Sequence, residues 1–327
     1  MKNYQIIATL GPATETRIVE LIEAGATGFR LNCSHLSWEQ LSRYLLRLEK
    51  VFHHVGNSMP VWLDLQGSKL RLGLLTKKLI VEKGEIVKFI PDYNDKNGAI
   101  PFPHQPVFRE ITHGDTMLID DGRIELKVSK SSHEEIAAVV LRGGELQSFK
   151  GVTFINKLPK LKEVTGRDRT FMEQTSSLKF LGYAVSYLQN AAELQLFRDL
   201  AGGKPMTAKI EREEAMQNLV EISEIANVTW LCRGDLGTNT NVFDLYHYER
   251  HFAKIMAMSG KPYLIAGQVL EHFTHHAAPT RSEIAHLGFL VDLGFSGVVL
   301  SDETAIGEYP IEVVKFCHDL FEYLPER

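Results

Sequence analysis

Eight short runs of apolar and β-branched residues, each followed by a stretch of helical period except where one long interruption intervenes, set the strongest limit on how this chain folds. They fall at 6–10, 28–31, 61–63, 181–187, 206–208, 228–231, 263–266 and 297–300. Gly11-Pro12 breaks the chain after the first run, and Ile18, Leu21 and Ile22 then mark the apolar face of a helix. A second helix is expected over about 37–55. Parallel strands cannot be joined by a tight turn, so their connection crosses over, usually as a helix. Strand–helix alternation therefore predicts an α/β protein with a parallel sheet. Eight units predict a closed (β/α)8 TIM barrel, whose working groups gather at the C-terminal ends of the strands.

The interruption lies between the third and fourth runs. There Ile124, Leu126 and Val128 alternate with Arg123, Glu125 and Lys127. That is the two-residue period of a half-buried strand. Runs at 86–90 and 136–141 have the same character, and Pro, Gly and Asn cluster over 91–106. The β-branched and apolar content is too high for a disordered loop. The expectation is a small all-β barrel domain over 66–151, inserted after the third strand. Residues 1–65 and 152–327 then form the catalytic barrel.

The chain has 327 residues, 44% of them hydrophobic, and a formal charge of -5. That suffices for one large core or two modest ones. Mild acidity provides no electrostatic footprint for nucleic acid. The apolar runs are too short to span a bilayer, and no charged start leads into an apolar stretch. Cys33, Cys232 and Cys317 are odd in number and scattered, which fits reduced thiols in a cytoplasmic setting.

Two motifs carry chemistry. Ala208-Lys209-Ile210-Glu211 ends the fifth run, and Leu231-Cys232-Arg233-Gly234-Asp235-Leu236-Gly237 ends the sixth. Two carboxylates are a typical protein share for a magnesium ion that also binds substrate phosphate. A neighbouring lysine suits a phosphoryl group in transfer, or an enolate. Other polar residues also fall at strand ends: Arg30 and Asn32, Asp64, Gln268, and Ser301-Asp302-Glu303. A closed barrel brings these ends to one mouth.

The assembled motifs resemble the pyruvate kinase family over nearly the whole chain. The resemblance rests on Ala8-Thr9-Leu10-Gly11-Pro12, on Phe29-Arg30-Leu31-Asn32-Cys33-Ser34-His35, and on the stretch from Leu63-Asp64-Leu65-Gln66-Gly67 through Leu72-Gly73. It also rests on Asp120-Asp121-Gly122, Gly143-Gly144-Glu145-Leu146, Lys150-Gly151-Val152, Pro279-Thr280-Arg281-Ser282-Glu283 and Leu300-Ser301-Asp302-Glu303-Thr304-Ala305, besides the two motifs above.

The resemblance implies transfer of phosphate between phosphoenolpyruvate and ADP, giving pyruvate and ATP, with magnesium or manganese. Glu211 and Asp235 would hold the metal. Lys209 would sit on the phosphoryl group and the enolate oxygen, and Arg30 would grip the phosphate. Arg233, Gly234, Asp235 and Gly267 would bind the substrate, the Gly234 and Asp235 backbone receiving its carboxylate. Arg71 and Lys150, with Asn32 and His35 nearby, would reach the nucleotide, the inserted domain serving as a lid. Asn32, Ser34, Asp64 and the Leu65 carbonyl would match the family's potassium site.

Four departures refine that expectation. Lys69 stands where many members carry glutamate, and lysine there goes with activity that needs no potassium. Gly267 takes the place of a threonine used in protonating the enolate, leaving water or Ser301 to deliver the proton. Thr153-Phe154-Ile155-Asn156 and Gln189 replace usual residues near the mouth. The chain ends at Arg327, a short form without the family's C-terminal allosteric domain, for which sugar-phosphate control is not expected and a homodimer or monomer is. The lost threonine keeps two rivals open: a magnesium-dependent lyase or aldolase working through a 2-oxo-acid enolate, and a non-catalytic binder of phosphoenolpyruvate or nucleotide.

Weaker patterns have ordinary readings. His247 and His251 lack a third zinc ligand. Residues His272, His275 and His276 suit a solvated loop. Gly202-Gly203-Lys204 follows a helix instead of opening one, so it is a helix end and not a phosphate loop.

Overall fold

A computed structural model describes residues 4–120, 122–155 and 164–324. Asp121 and Asn156, named above, lie outside the described residues. The chain divides into two compact units, Met1–Gly67 with Lys162–Arg327, and Ser68–Leu161.

The first unit is a closed parallel barrel. Its strands are Gln5–Thr9, Gly28–Asn32, Val61–Leu65, Leu181–Val185, Met206–Ile210, Val228–Cys232, Tyr263–Ala266 and Gly297–Leu300. Each pairs in parallel with the next, and the last closes on the first, with Gln5 opposite Gly297 and Ala8 opposite Leu300. All eight expected runs are strands. Closure depends on Gly297: its φ is +153°, and a Cβ there would stand 1.9 Å from the Gln5 carbonyl oxygen. No other residue type fits that seam without moving a strand.

Alternate residues of each strand point inward and fill the barrel. The filling includes Ile7, Trp62, Ala184, Val228, Trp230, Leu264 and Val299. Trp62 and Trp230 meet edge to face at 6.1 Å, a favoured aromatic geometry. The outer helices bury one stripe each. In Trp38–Val55 that stripe is Leu41, Tyr44, Leu45, Leu48 and Phe52, at three- and four-residue spacing. The helix starts at a reciprocal cap: Ser37 Oγ accepts from the Gln40 N–H, and the Gln40 side chain accepts from the Ser37 N–H. Thr280 and Glu283 do the same for Arg281–Asp292. The Thr280-Arg281-Ser282-Glu283 motif is thus a helix start. Among the described residues no helix is long and apolar enough to cross a membrane.

The second unit is built on a seven-stranded sheet in the order Leu70–Arg71, Gly151–Phe154, Thr116–Ile119, Ile124–Ser131, Ile136–Arg142, Ile86–Ile90, Ile100–Pro101. A separate ribbon pairs Leu79–Val81 with Gly144–Leu146. Among its described residues a four-residue helix, Val107–Glu110, accompanies the strands, so the unit is not wholly β. Ile124, Leu126 and Val128 are buried, as their alternation requires, and they join Phe89, Phe102, Phe108 and Phe154 in one core. The unit ends later than 151 because Gly151–Phe154 pairs antiparallel with Leu70–Arg71 and with Thr116–Ile119. The exit strand belongs to this sheet.

In the barrel unit, the segment that leaves the third strand is pinned. Asp168 accepts hydrogen bonds from the Gln66 and Gly67 N–H groups at 3.1 and 3.0 Å. Burial pushes its carboxyl up to about 6, against the opposing pull of its Thr165, Gln66 and Gly67 hydrogen bonds.

Candidate active site

The C-terminal ends of the strands enclose one cleft, lined by Arg30, Lys209, Glu211, Trp230, Cys232, Gly234, Asp235, Ala266, Gly267, Val299 and Ser301. The expected Lys209, Glu211, Asp235, Arg30, Gly234, Gly267 and Ser301 therefore meet. Lys209 and Glu211 are two apart, so the strand period turns both to the same side. Trp230 and Cys232 follow the same rule on the neighbouring strand.

Charge here is dense and paired. Lys209 Nζ lies 3.1 Å from Asp64 Oδ2 and 3.0 Å from Glu211 Oε1. Arg30 meets the same Asp64 oxygen through Nη2 at 2.6 Å and Nε at 2.7 Å, and its Nη1 donates to Thr9 Oγ1 at 3.0 Å. Ser186, which the sequence reading passed over, links the two sides. Its hydroxyl donates to Asp64 Oδ1 at 3.0 Å and accepts from Lys209 Nζ at 2.9 Å.

These contacts set the ionisation. Burial alone would discharge Lys209, but Asp64 and Glu211 outweigh it and hold the ammonium above its ordinary value. Burial likewise opposes the Asp64 carboxylate, yet Lys209 and Arg30 keep it below the usual range. Arg30 is raised, Asp64 overcoming the effect of burial. The cleft thus holds two fixed cations at neutral pH. Cys232 also lines it, but burial and then Glu211 push its thiol well up, so it is a neutral wall and not a nucleophile.

Glu211 and Asp235 share a neighbour. Tyr187 donates its N–H to Glu211 Oε2 at 2.6 Å and its hydroxyl to Asp235 Oδ1 at 3.1 Å. Both are hard oxygen donors on one cleft, which suits a magnesium ion that completes its shell with water and substrate oxygens. Among the described residues no group of three or more His, Cys, Asp or Glu is arranged to hold a metal alone.

Arg233 takes a different place from the one its motif suggests. It is not among the cleft-lining residues. Its Nε and Nη2 donate to the Gly267 carbonyl at 3.2 and 3.0 Å, and Nη2 also donates to the Gln268 carbonyl at 2.7 Å. Its Nη1 donates to His286 Nδ1 at 2.8 Å. An arginine cannot accept, so His286 keeps its proton on Nε2, which donates to Glu249 at 3.0 Å. Arg233 braces the turn after the seventh strand.

That turn explains Gly267. Its φ is +82° and that of Gln268 is +52°. A Cβ on Gly267 would come 3.1 Å from the Gly234 nitrogen. The missing threonine is therefore matched by a backbone that disfavours one. Gly267→Thr is expected to lower stability by about 1–3 kcal/mol, because a β-branched residue is strained at positive φ. Denaturant unfolding would measure it, and an unchanged midpoint would contradict the turn geometry.

The remaining expected residues sit as follows. The Ser301 N–H donates to Glu303 Oε2 at 2.6 Å, and Glu303 Oε1 accepts from the Leu270 N–H at 3.2 Å, so Glu303 ties the seventh and eighth strand ends together. Asn32 Oδ1 accepts from the Ser34 N–H at 3.2 Å; Ser34, Asp64 and Leu65 are buried, and His35 is exposed. Gln189 is buried and its N–H donates to Glu193. In the inserted unit, Arg71 Nη1 donates to the Phe149 carbonyl at 2.8 Å and Lys150 pairs with Asp120 at 2.7 Å. Lys69 is half-buried there, its Cε 2.9 Å from where a Cβ on Gly151 would stand.

A (β/α)8 barrel with a lysine, an arginine and two carboxylates around one cleft suits an enzyme that handles a phosphoryl group or an enolate. The family described as pyruvate kinase, barrel domain, matches residues 1–314. The chain belongs to the pyruvate kinase family. It is 30% identical over 327 residues to a pyruvate kinase of Agrobacterium vitis, covering 98% of this chain and 68% of that protein. It is 31% identical to one from Methylorubrum extorquens, covering 96% of this chain and 66% of the relative. For a pyruvate kinase of Thermotoga maritima the identity is 26%, covering 96% and 69%. The chain thus spans about two thirds of the length of these relatives.

Proposed function

We propose that this protein transfers the phosphoryl group of phosphoenolpyruvate to ADP, leaving pyruvate. The observation that carries the reading is the buried Arg30–Asp64–Lys209–Glu211 cluster beside Asp235 in one cleft. Phosphoryl transfer asks little covalent chemistry of a protein and depends on positioning and charge neutralisation. Lys209 and Arg30 supply two positive charges that burial does not remove. Fixed charge in a partly dry cleft acts more strongly than in water and needs no reorganisation during the reaction.

Glu211 and Asp235 are the residues that would hold magnesium, or manganese in its place. When bound, the ion would draw negative charge from the phosphate and enolate oxygens. The reaction needs a proton on the enolate carbon. Gly267 has no hydroxyl, so the proton comes from water or from Ser301, which lines the same cleft. Arg71 and Lys150 are proposed for the nucleotide phosphates. Lys69, a tethered ammonium, is proposed to replace the monovalent cation that Asn32, Ser34, Asp64 and Leu65 would otherwise hold.

The test is pyruvate formation from phosphoenolpyruvate and ADP with magnesium, in potassium buffer and in potassium-free buffer. Equal turnover in both is expected. Turnover confined to potassium would keep the kinase reading and remove the Lys69 role. No turnover from folded protein would favour a lyase working through a 2-oxo-acid enolate, which the hydroxyl-free Gly267 turn makes the leading rival. That rival predicts metal-dependent exchange of pyruvate methyl protons with solvent.

A further inference from the structure

The geometry points to Tyr187 as the positioning residue that holds Glu211 and Asp235 in register for a metal ion. The inference rests on the phosphoryl-transfer reading above. Tyr187 lies just past the strand Leu181–Val185, is 2% exposed, and has a φ of +60°. A bulky residue in the left-handed region is an outlier that persists only where surrounding contacts hold it. Two of those contacts lead to the two carboxylates.

The left-handed turn aims the Tyr187 N–H at Glu211 Oε2, 2.6 Å away. The ring then carries its hydroxyl to Asp235 Oδ1, 3.1 Å away. Asn239 Nδ2 donates to the phenol oxygen at 3.2 Å, and also to the Asp235 and Glu211 carbonyls at 2.8 and 3.3 Å. With Asn239 on its acceptor side, the phenol directs its single proton at Asp235. The Arg212 guanidinium covers the ring at 4.3 Å. Arg212 is 1% exposed, and its Nε and Nη1 make no hydrogen bond. A buried cation with unsatisfied donors is costly. Stacking on Tyr187 and the nearby charge of Glu193, Glu214 and Glu211 offset part of that cost, though burial still holds the guanidinium below its ordinary value.

Glu211 and Asp235 come from different elements, the end of one strand and the helix Arg233–Asn239 that follows the next. Like charges placed together repel, and neither element alone fixes their spacing. Tyr187 ties both to one buried residue, Glu211 through its backbone N–H and Asp235 through its hydroxyl. Groups that hydrogen-bond to metal ligands orient them, and losing such a group typically weakens metal affinity 10- to 100-fold.

The experiment is a manganese titration of the free protein, read by the paramagnetic resonance signal of aqueous manganese, with no substrate or nucleotide present. Tyr187→Phe keeps the ring over Arg212 and the backbone N–H, and removes the hydroxyl with its hydrogen bonds to Asp235 and from Asn239. It is expected to weaken manganese binding about tenfold with little change in the unfolding midpoint. With magnesium in turnover assays, the variant should need more metal while keeping kcat at saturation. Asn239→Ala, which frees the phenol to turn and also removes the hydrogen bonds to the Asp235 and Glu211 carbonyls, should weaken binding about threefold. Parent-like manganese affinity in Tyr187→Phe would overturn the inference. If that variant does not fold, parent-like affinity in Asn239→Ala overturns it instead. Glu211→Gln separates the two claims. If it binds manganese as the parent does, the metal assignment itself fails; if it loses binding while Tyr187→Phe does not, only the Tyr187 role fails.

Discussion

Replacing Lys209 by methionine is expected to lower kcat for pyruvate formation by at least ~100- to 1000-fold, the effect of removing one preorganised charge-stabilising group. The side chain is matched in length, so the change removes a charge more than a volume. Lys209 bridges Asp64 and Glu211, and both hold its proton firmly. It therefore acts as a fixed cation and not as a group that cycles its charge near neutrality. The loss should be flat between pH 6 and 9. It should also appear in kcat and kcat/KM alike, because the contact strengthens as charge develops on the transferring group. The measurement is steady-state turnover at a temperature where circular dichroism shows the variant folded. A loss under tenfold would remove Lys209 from the reaction, and a loss only in KM would make it a simple binding group.

What the sequence made legible follows from symmetry of position. Each barrel strand ends at the same rim, so a polar residue at a strand end is already located. Arg30, Lys209, Glu211, Asp235 and Ser301 were found by that rule, and all line one cleft. Ser186 and Tyr187 obey the rule too, directly after the fourth strand, but a serine and a tyrosine carry no charge to attract notice. Tyr187 also needs its φ of +60° to reach Glu211, and nothing in local propensity signals a left-handed tyrosine. Arg233 is hard to place from sequence for the opposite reason. It sits in the densest motif, yet its partners Gly267, Gln268, His286 and Glu249 lie outside that motif, 16 to 53 positions away. In the inserted unit the alternation at 123–128 marked a strand correctly. The exit boundary was not readable, because the pairing of Gly151–Phe154 with Thr116–Ile119 is a long-range contact.

Asp64 carries the largest stability effect expected here. Its carboxylate is 2% exposed and balances two buried cations, Arg30 and Lys209. A buried pair contributes little beyond a good apolar replacement, but removing one partner leaves the other's charge unmatched. Asp64→Ala is expected to cost about 3–5 kcal/mol, measured by denaturant unfolding at pH 7. The double variant Asp64→Ala with Lys209→Met should be less destabilised than the sum of the two single changes, since it also removes one stranded ammonium. The dependence on pH has a definite sign. The folded carboxyl is held below its unfolded value of about 3.9. Asp64 therefore contributes its stability fully above that unfolded value and loses it as pH falls through the folded one. Between pH 6 and 8 the contribution is constant, and below about pH 4 the parent should converge on the Asp64→Ala variant. A cost under 1 kcal/mol, or full additivity in the double variant, would mean that the two cations find other partners, and that the cluster is a set of independent contacts instead of one charge-balanced unit.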